Sequence, residues 1–188
     1  MGMSFQEFLE EQLHMLALEE EEQVLARQII GNIDDDGYLR RDVAAIVNDI
    51  AFSLNIFTSE EKLTELLKCI QQFDPPGVGA RSLQECLKIQ IRRKARQYPH
   101  NPQIKLARQL VEKFFNEFTK KHYDKITNRL NITNDDLKDA IDEILRLNPK
   151  PGSTFGSDNS NMQQIIPDFI LEVNNQELQL SLNSKNSP

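Results

Sequence analysis

The sequence predicts an all-α protein built from two helical subdomains. Apolar residues recur at helical spacing along most of the chain up to residue 147, and prolines, glycines and asparagines separate these stretches. A unit of two helices also occurs twice. With 188 residues, of which 39% are hydrophobic, the chain is long enough for one or two domains with modest cores.

Helix boundaries in the first half follow from stop and capping signals. Gly31 marks a predicted helix end after an apolar stretch. Thr58 with Glu61, and Ser82 with Glu85, have the spacing of a capping box, in which two side chains satisfy backbone amides of the first turn. The helix after Thr58 has one apolar face, formed by Leu63, Leu66, Leu67, Ile70 and Phe73.

The second half follows the same pattern. Thr133 caps a late helix, and one continuous earlier helix is predicted from the apolar positions Leu106, Leu110, Phe114 and Phe118. Because Tyr98–Pro102 interrupts the helical pattern, we divide the chain into helical subdomains at 1–97 and 102–155. Apolar residues alternate in the last part, 156–188, which predicts a short β-hairpin-like tail.

An internal repeat relates the two halves. Each unit consists of a short helix, an asparagine-containing turn and a capped helix, as in a helix-turn-helix. A helix that reads DNA usually presents Arg, Asn or Gln near its start, whereas these helices begin with Glu60-Glu61 and Asp135-Asp136, which phosphates would repel. We therefore expect the repeats to serve packing or protein contact. The matching positions are Leu63, Leu66, Leu67, Ile70, Phe73 and Pro75 in one unit, and Leu137, Ala140, Ile141, Ile144, Leu147 and Pro149 in the other.

Composition limits the class of protein. A formal charge of −7 disfavours an evenly basic nucleic-acid binder, although a local basic patch remains possible. No apolar run approaches the roughly 18 residues of a membrane span, and the first residues lack a signal-peptide pattern. Cys69 and Cys86 occupy apolar helical positions, so we interpret both as core residues of a protein from a reducing, cytoplasmic compartment.

Metal binding and catalysis have little support. The segment Asn32–Gly37 resembles part of an EF-hand loop, but Val43 stands where the bidentate glutamate is required, so we interpret it as a turn. His14, His100 and His122 are scattered and lie near no nucleophile motif. We expect no metal, no cofactor and no enzymatic activity.

A basic helix is the strongest charged feature. Residues 88–96 contain five basic residues and no acid, whereas residues 1–36 contain ten acidic residues and one basic residue. Lys88, Arg92 and Arg96 lie on one helical face, where like charges destabilise an isolated helix. Something anionic should neutralise them, and three partners are open: the acidic N-terminal helices, a partner protein or a nucleic-acid backbone. We expect Arg92 and Arg93 to be exposed.

Three segments carry a resemblance to a known family. They are Ile30–Leu39, Phe73–Leu87 and Leu147–Gly152, the last followed by Phe155. In sequence, order and spacing they resemble the core-binding region of sigma-54, the enhancer-dependent, nitrogen-type sigma factor of bacterial RNA polymerase. Within the second segment, Phe73–Arg81 is the most specific string. From the residues alone, it is a rigid loop that orients one helix on the next, and Pro-Pro-Gly predicts a type II turn with positive φ at Gly77.

The resemblance implies a function and a partner. It implies that the chain docks a sigma factor on core RNA polymerase, through the β and β′ subunits, for enhancer-dependent transcription initiation. The family's glutamine-rich N-terminal region, which meets the activator ATPase, and its promoter-reading C-terminal helix-turn-helix are missing, so we interpret the chain as a core-binding fragment. The alternative is a helix-turn-helix DNA-binding module that uses Lys88–Arg96 as a phosphate patch. Candidate contacts with the core are Asp74, Pro75, Pro76, Gly77, Val78, Arg81, Lys88, Arg92, Arg93 and Arg96.

Overall fold

The structure is a computed structural model that describes residues 2–153 and residue 155. Over these residues the chain forms nine α-helices and two isolated β-bridges, which confirms the all-α prediction. The tail 156–188, where a hairpin is predicted, lies outside the described residues. The helices are α1 (Phe5–His14), α2 (Glu20–Gly31), α3 (Val43–Leu54), α4 (Glu60–Ile70), α5 (Leu83–Gln97), α6 (Pro102–Lys113), α7 (Phe115–Thr119), α8 (Tyr123–Leu130) and α9 (Asn134–Leu145).

The first hydrophobic core lies between α1, α2, α3 and α4. Leu9 of α1, Ile29 of α2 and Ile70 of α4 are almost completely buried in it, and Val78 from the loop after α4 closes it. Each of these helices buries one apolar face and keeps its charges outside, as the periodicity predicts. An ion pair between Lys62 of α4 and Glu22 of α2 links two of the helices at the surface.

The second core is formed by α5 to α9. Leu87 and Ile91 of α5 are buried in it together with Leu110 of α6 and Ile141 of α9. The apolar face of α5 therefore belongs to the second core, although α5 follows directly on the loop that closes the first. The division of the chain into subdomains at residues 98–101 stays a prediction.

The two repeat units share the same turn. Asn55 ends α3 and Asn131 ends α8, and both have left-handed backbone conformations, with φ of 56° and 53°. Asparagine is one of the few residues that adopts this conformation at low cost. Thr133 is the N-cap of α9, as predicted, and its side chain forms a capping box with Asp136. The one predicted at Thr58 is wrong, because the N-cap is Ser59, whose Oγ accepts a hydrogen bond from the Lys62 amide at 3.1 Å.

Two further sequence predictions are wrong. The helix predicted through Phe114 is interrupted there: α6 ends at Lys113, Phe114 has φ −124° and ψ 27°, and α7 starts at Phe115. The break turns the chain so that Phe118 is buried in the second core. Cys86 is buried as predicted, but Cys69 is exposed, because it lies on the outward side of α4. Among the described helices, none is sufficiently long and apolar to cross a membrane.

Candidate protein-binding site

The three segments that carry the family resemblance meet in space. We call their meeting point the joint and define it as residues 34–39, 73–81 and 147–152. Backbone hydrogen bonds hold it together. The amide of Gly79 donates to the carbonyl of Gly37 at 2.8 Å, and the amide of Gly152 donates to the carbonyl of Asp36 at 2.9 Å. The joint therefore lies between the two cores and fastens them to each other.

Glycine is required where the segments touch. A Cβ at Gly152 would lie 2.5 Å from the carbonyl oxygen of Asp35, and a Cβ at Gly37 would lie 2.9 Å from the amide nitrogen of Gly152. Both distances are shorter than any ordinary contact, and both involve backbone atoms that cannot move aside. Gly37 also has a φ of 100°, which side chains disfavour. The close approach of the first and third segments depends on these two glycines.

Buried polar side chains complete the joint. The amide of Asn148 donates to Gln90 Oε1 at 2.8 Å, and Gln90 Nε2 donates back to the carbonyl of Asn148 at 2.6 Å. The hydroxyl of Tyr38 donates to the carbonyl of Pro149 at 2.7 Å. Burial raises the pKa of the Tyr38 phenol far above its usual value, and burial also raises the pKa of the neighbouring Cys86 thiol. Both groups are therefore neutral at physiological pH.

The loop of the second segment has the predicted turn. The amide of Val78 donates to the carbonyl of Pro75 at 3.2 Å, and Gly77 has a φ of 96°, which confirms the positive φ predicted there. Gly79 also has a positive φ, of 79°. The peptide bond between Asp74 and Pro75 is cis, which the sequence did not indicate.

The first carboxylate of the acidic loop, that of Asp34, makes its hydrogen bonds within the molecule. Asp34 Oδ1 accepts from the amides of Asp36 and Tyr38, both at 3.0 Å, and Asp34 Oδ2 accepts from Arg40 at 2.7 Å. These contacts explain why an EF-hand-like sequence folds as a tight turn. In the part of the chain that the structure describes, no group of three or more His, Cys, Asp or Glu residues is placed to hold a metal ion.

Part of the positive charge of the basic helix α5 is neutralised by carboxylates of the same chain. Arg92 pairs with Glu112 of α6 at 2.9 Å, and hydrogen bonds from Arg92 and Arg108 lower the pKa of that carboxyl. Lys94 pairs with Glu143 of α9 at 3.3 Å. Of the three partners left open by the sequence, an intramolecular one exists, but it lies on later helices and not on the acidic N-terminal ones.

Arg93 differs from its neighbours. Its side chain is only 20% exposed, so the expectation of an exposed charge is wrong for this residue. Arg93 Nη2 donates to the carbonyls of Gln71 and Phe73, at 3.2 and 2.8 Å, and Nη1 contacts Asp74 at 3.2 Å. These carbonyls follow the end of α4, where backbone groups lack helical partners. Arg93 thus fastens α5 to the start of the joint loop.

The ten candidate contact residues divide by accessibility. Gly77 and Val78 are buried, whereas Asp74, Pro76, Arg92 and Arg96 are exposed. Partly accessible positions are Pro75, Arg81, Lys88 and Arg93. The structure brings the ten residues together on the loop after α4 and along α5. The role of these residues in binding stays a prediction.

Sequence reasoning missed several residues of this region. Gln90 and Asn148 lie 58 positions apart, and no local pattern indicates that they pair. Lys68, near the end of α4, joins the basic face of α5 across a surface groove. Elsewhere, Phe52 and Phe57 lie 93% and 79% exposed beside the Asn55 turn, where the helical periodicity does not distinguish exposed from buried aromatic residues.

The fold and the joint indicate a general class of protein. It is an all-α binding module in which two small hydrophobic cores support a charged, partly exposed surface. The comparison with known proteins is more specific. The sequence matches the family described as "Sigma-54 factor, core binding domain" over residues 1–188. The chain belongs to this family.

Individual relatives agree with the family match. The RNA polymerase sigma-54 factor of Pseudomonas aeruginosa (strain UCBPP-PA14) is 31% identical over 188 residues, covering 100% of this chain and 36% of the relative. That of Acidithiobacillus ferridurans is 32% identical over 185 residues, covering 98% and 37%. That of Rhizobium meliloti is 31% identical over 170 residues, covering 90% and 30%. The chain therefore spans 30% to 37% of the length of these relatives. The match favours the core-binding prediction over the DNA-binding alternative.

Proposed function

We propose that this chain binds core RNA polymerase and holds a sigma-54 factor on it, with the β and β′ subunits as the direct partners. The match of all 188 residues to the core-binding domain family carries this proposal. Promoter DNA and the activator ATPase are then bound by parts of a full-length factor outside this chain. The role is that of a cytoplasmic binding module and not of an enzyme.

The surface of the fold supports a protein partner. The second helices of the two repeat units begin with acidic residues in the first turn, Glu60 and Glu61 in α4 and Asp135 and Asp136 in α9. These carboxylates favour the positive end of the helix dipole and would be repelled by DNA phosphates. A helix-turn-helix with such starts suits packing and protein contact.

We assign the candidate contact residues two different roles. Five of them are accessible to a partner and are proposed to contact core polymerase directly: Asp74, Pro76, Lys88, Arg92 and Arg96. The other candidates, chiefly Gly77, Val78 and Arg93, are proposed to hold the loop and α5 in their relative orientation. The joint would then act as the rigid support on which the contact surface is displayed.

Gel filtration tests the proposal. The purified chain, mixed with core polymerase at micromolar concentrations without DNA, should elute with the polymerase. Core polymerase that is already saturated with a full-length sigma-54 factor should not take it up. If the chain elutes alone in both mixtures, the proposed function is wrong.

A further inference from the structure

A surface groove runs between the end of α4 and the helix α5. Its volume is about 370 Å³, and its walls carry five basic side chains, Lys68, Lys88, Arg92, Arg93 and Arg96. Two of these, Arg92 and Arg93, are held by the ion pairs described above. The groove is therefore a concentrated positive surface on a chain whose formal charge is −7.

The other three cations of the groove lack an ion-pair partner among the residues that the structure describes. Over residues 2–153 and 155, Lys68, Lys88 and Arg96 have no carboxylate within ion-pair distance. The one acidic residue of the groove is Glu85, and its Oε1 accepts from the Arg81 amide at 2.8 Å and from Gln71 Nε2 at 3.1 Å. That carboxylate oxygen is committed to the loop. Charges that repel one another across a groove favour an anionic occupant.

The spacing of the cations indicates the shape of the occupant. Lys88, Arg92 and Arg96 follow one another at four-residue intervals, which places them about 6 Å apart along the helix axis. Alternate side chains of an extended polypeptide are about 6.6 Å apart. An extended segment with acidic residues at alternate positions could therefore pair with successive cations of α5.

The groove suits a polypeptide better than a nucleic acid. Ile89 supplies an apolar patch in the groove, and Gln72 contributes an amide group that can bond to a peptide backbone. A duplex would extend well beyond the groove over the rest of an acidic molecule, whereas a short acidic segment meets only the basic surface. The first 36 residues alone carry ten carboxylates.

We propose that this groove receives an extended acidic segment of the polymerase core, with Lys68, Lys88 and Arg96 as its principal contacts. The inference rests on the proposed function and specifies the chemistry of the surface that the core presents. Arg93 then belongs to the frame of the groove, because its guanidinium group already bonds to the loop after α4, whereas Arg92, already paired with Glu112, is a secondary contact.

Fluorescence anisotropy of the labelled chain titrated with core polymerase tests this assignment. The double variant Lys88→Gln/Arg96→Gln removes two groove charges and leaves every ion pair of the described residues in place. The matched control, Lys105→Gln/Lys125→Gln, removes two exposed charges outside the groove. We expect about tenfold weaker binding for the groove variant than for the control, and a smaller salt dependence.

Competition identifies the chemistry. A short peptide with glutamate at every second position should displace the chain from core polymerase, and the same peptide with glutamine should not. Equal affinity of the groove and control variants overturns the inference while leaving the proposed function intact. An oligothymidylate of equal charge that competes better than the peptide overturns it too, because the groove would then prefer phosphates. If the wild-type chain does not bind the core, the proposed function is wrong and the groove assignment falls with it.

Discussion

Gln90 and Asn148 exchange two hydrogen bonds across 58 residues of chain, with donor–acceptor distances of 2.8 and 2.6 Å. Gln90 is 7% exposed and lies on α5, and Asn148 belongs to the third segment of the joint. A side-chain amide has the geometry of a peptide group, so Gln90 binds the backbone of Asn148 as a neighbouring strand would. A single side chain thus satisfies both the amide and the carbonyl of Asn148.

The first prediction concerns this pair. The substitution Gln90→Leu roughly preserves volume but removes both hydrogen bonds. We expect the free energy of unfolding to fall by about 2–4 kcal/mol, because the partly buried backbone groups of Asn148 lose these partners. Thermal melting measures the effect. Gln109→Leu, at an exposed position of α6, should change stability by about 0.5 kcal/mol or less. If the two variants melt at the same temperature, the pair adds no stability.

The second prediction concerns Gly77. A Cβ there would lie 2.7 Å from Cys86 Sγ and 2.8 Å from Gln90 Nε2, and the φ of 96° is disfavoured for any side chain. We expect Gly77→Val to lower stability by about 2–4 kcal/mol and Gly77→Ala to lower it by less, from the conformational cost and the overpacking together. Binding to core polymerase should weaken with it, since α5 would shift.

Gly31→Ala is the control for this experiment. Gly31 ends α2, and a Cβ there would meet no atom within 4 Å, so the substitution should be neutral or stabilising by up to about 1 kcal/mol. A Gly77→Val variant that melts and binds like the wild type would show that the loop is a passive connector.

The third prediction separates two adjacent arginines. Arg93→Gln should cost about 1–3 kcal/mol, because two backbone carbonyls lose a charged donor in a partly buried place. Arg92→Gln should cost about 1 kcal/mol or less, because its side chain is 44% exposed and Arg108 still pairs with Glu112. Urea titration of both variants measures the difference. If both variants lose the same free energy of unfolding, Arg93 does not support the fold more than the surface residue Arg92 does.

The fourth prediction is a pH dependence. Because burial raises the folded-state pKa of Tyr38, the neutral phenol stabilises the fold below the ordinary pKa of about 10, and this contribution is lost as the pH rises above that value. At pH 7, Tyr38→Phe should reduce the free energy of unfolding by about 1 kcal/mol, because the substitution removes the hydrogen bond to the Pro149 carbonyl.

The comparison between pH 8 and pH 11 tests the sign. The wild type should lose more stability over this range than Tyr38→Phe, so that the difference between them shrinks or reverses at the alkaline end. A constant difference from pH 8 to pH 11 would show that Tyr38 does not titrate with unfolding.

The fold was predictable where the determinant is local. Apolar residues at helical spacing indicate which face of α4 is buried, and Pro-Pro-Gly favours the turn at Gly77, because proline fixes a negative φ and glycine adopts the positive φ that follows. Ser59 against Thr58 shows the limit of capping signals, because Ser59 caps α4 although Lys62, and not the glutamate of a capping box, stands three residues later. Phe114 shows the limit of periodicity, because apolar residues on both sides of a break keep the helical spacing.

The site was predictable in part. The sequence placed the basic charges on one helix, but it could not distinguish Arg93, which bonds to backbone 20 and 22 positions earlier, from Arg92, which pairs with α6. Partners such as Gln90 and Asn148 depend on how two cores are placed relative to each other. That arrangement is a tertiary property, and nothing in the local sequence encodes it.

The joint has a consequence for the order of folding. Within each core most contacts join helices that follow closely along the chain, but the bond from Tyr38 to the Pro149 carbonyl closes a separation of 111 residues. Closing a long loop costs more conformational entropy than closing a short one, and the contact formed offsets this cost only when both ends are already ordered. Both cores should therefore form first and lock together last. By the same argument we expect the partial opening of lowest free energy to separate the two cores at the joint while each core stays folded.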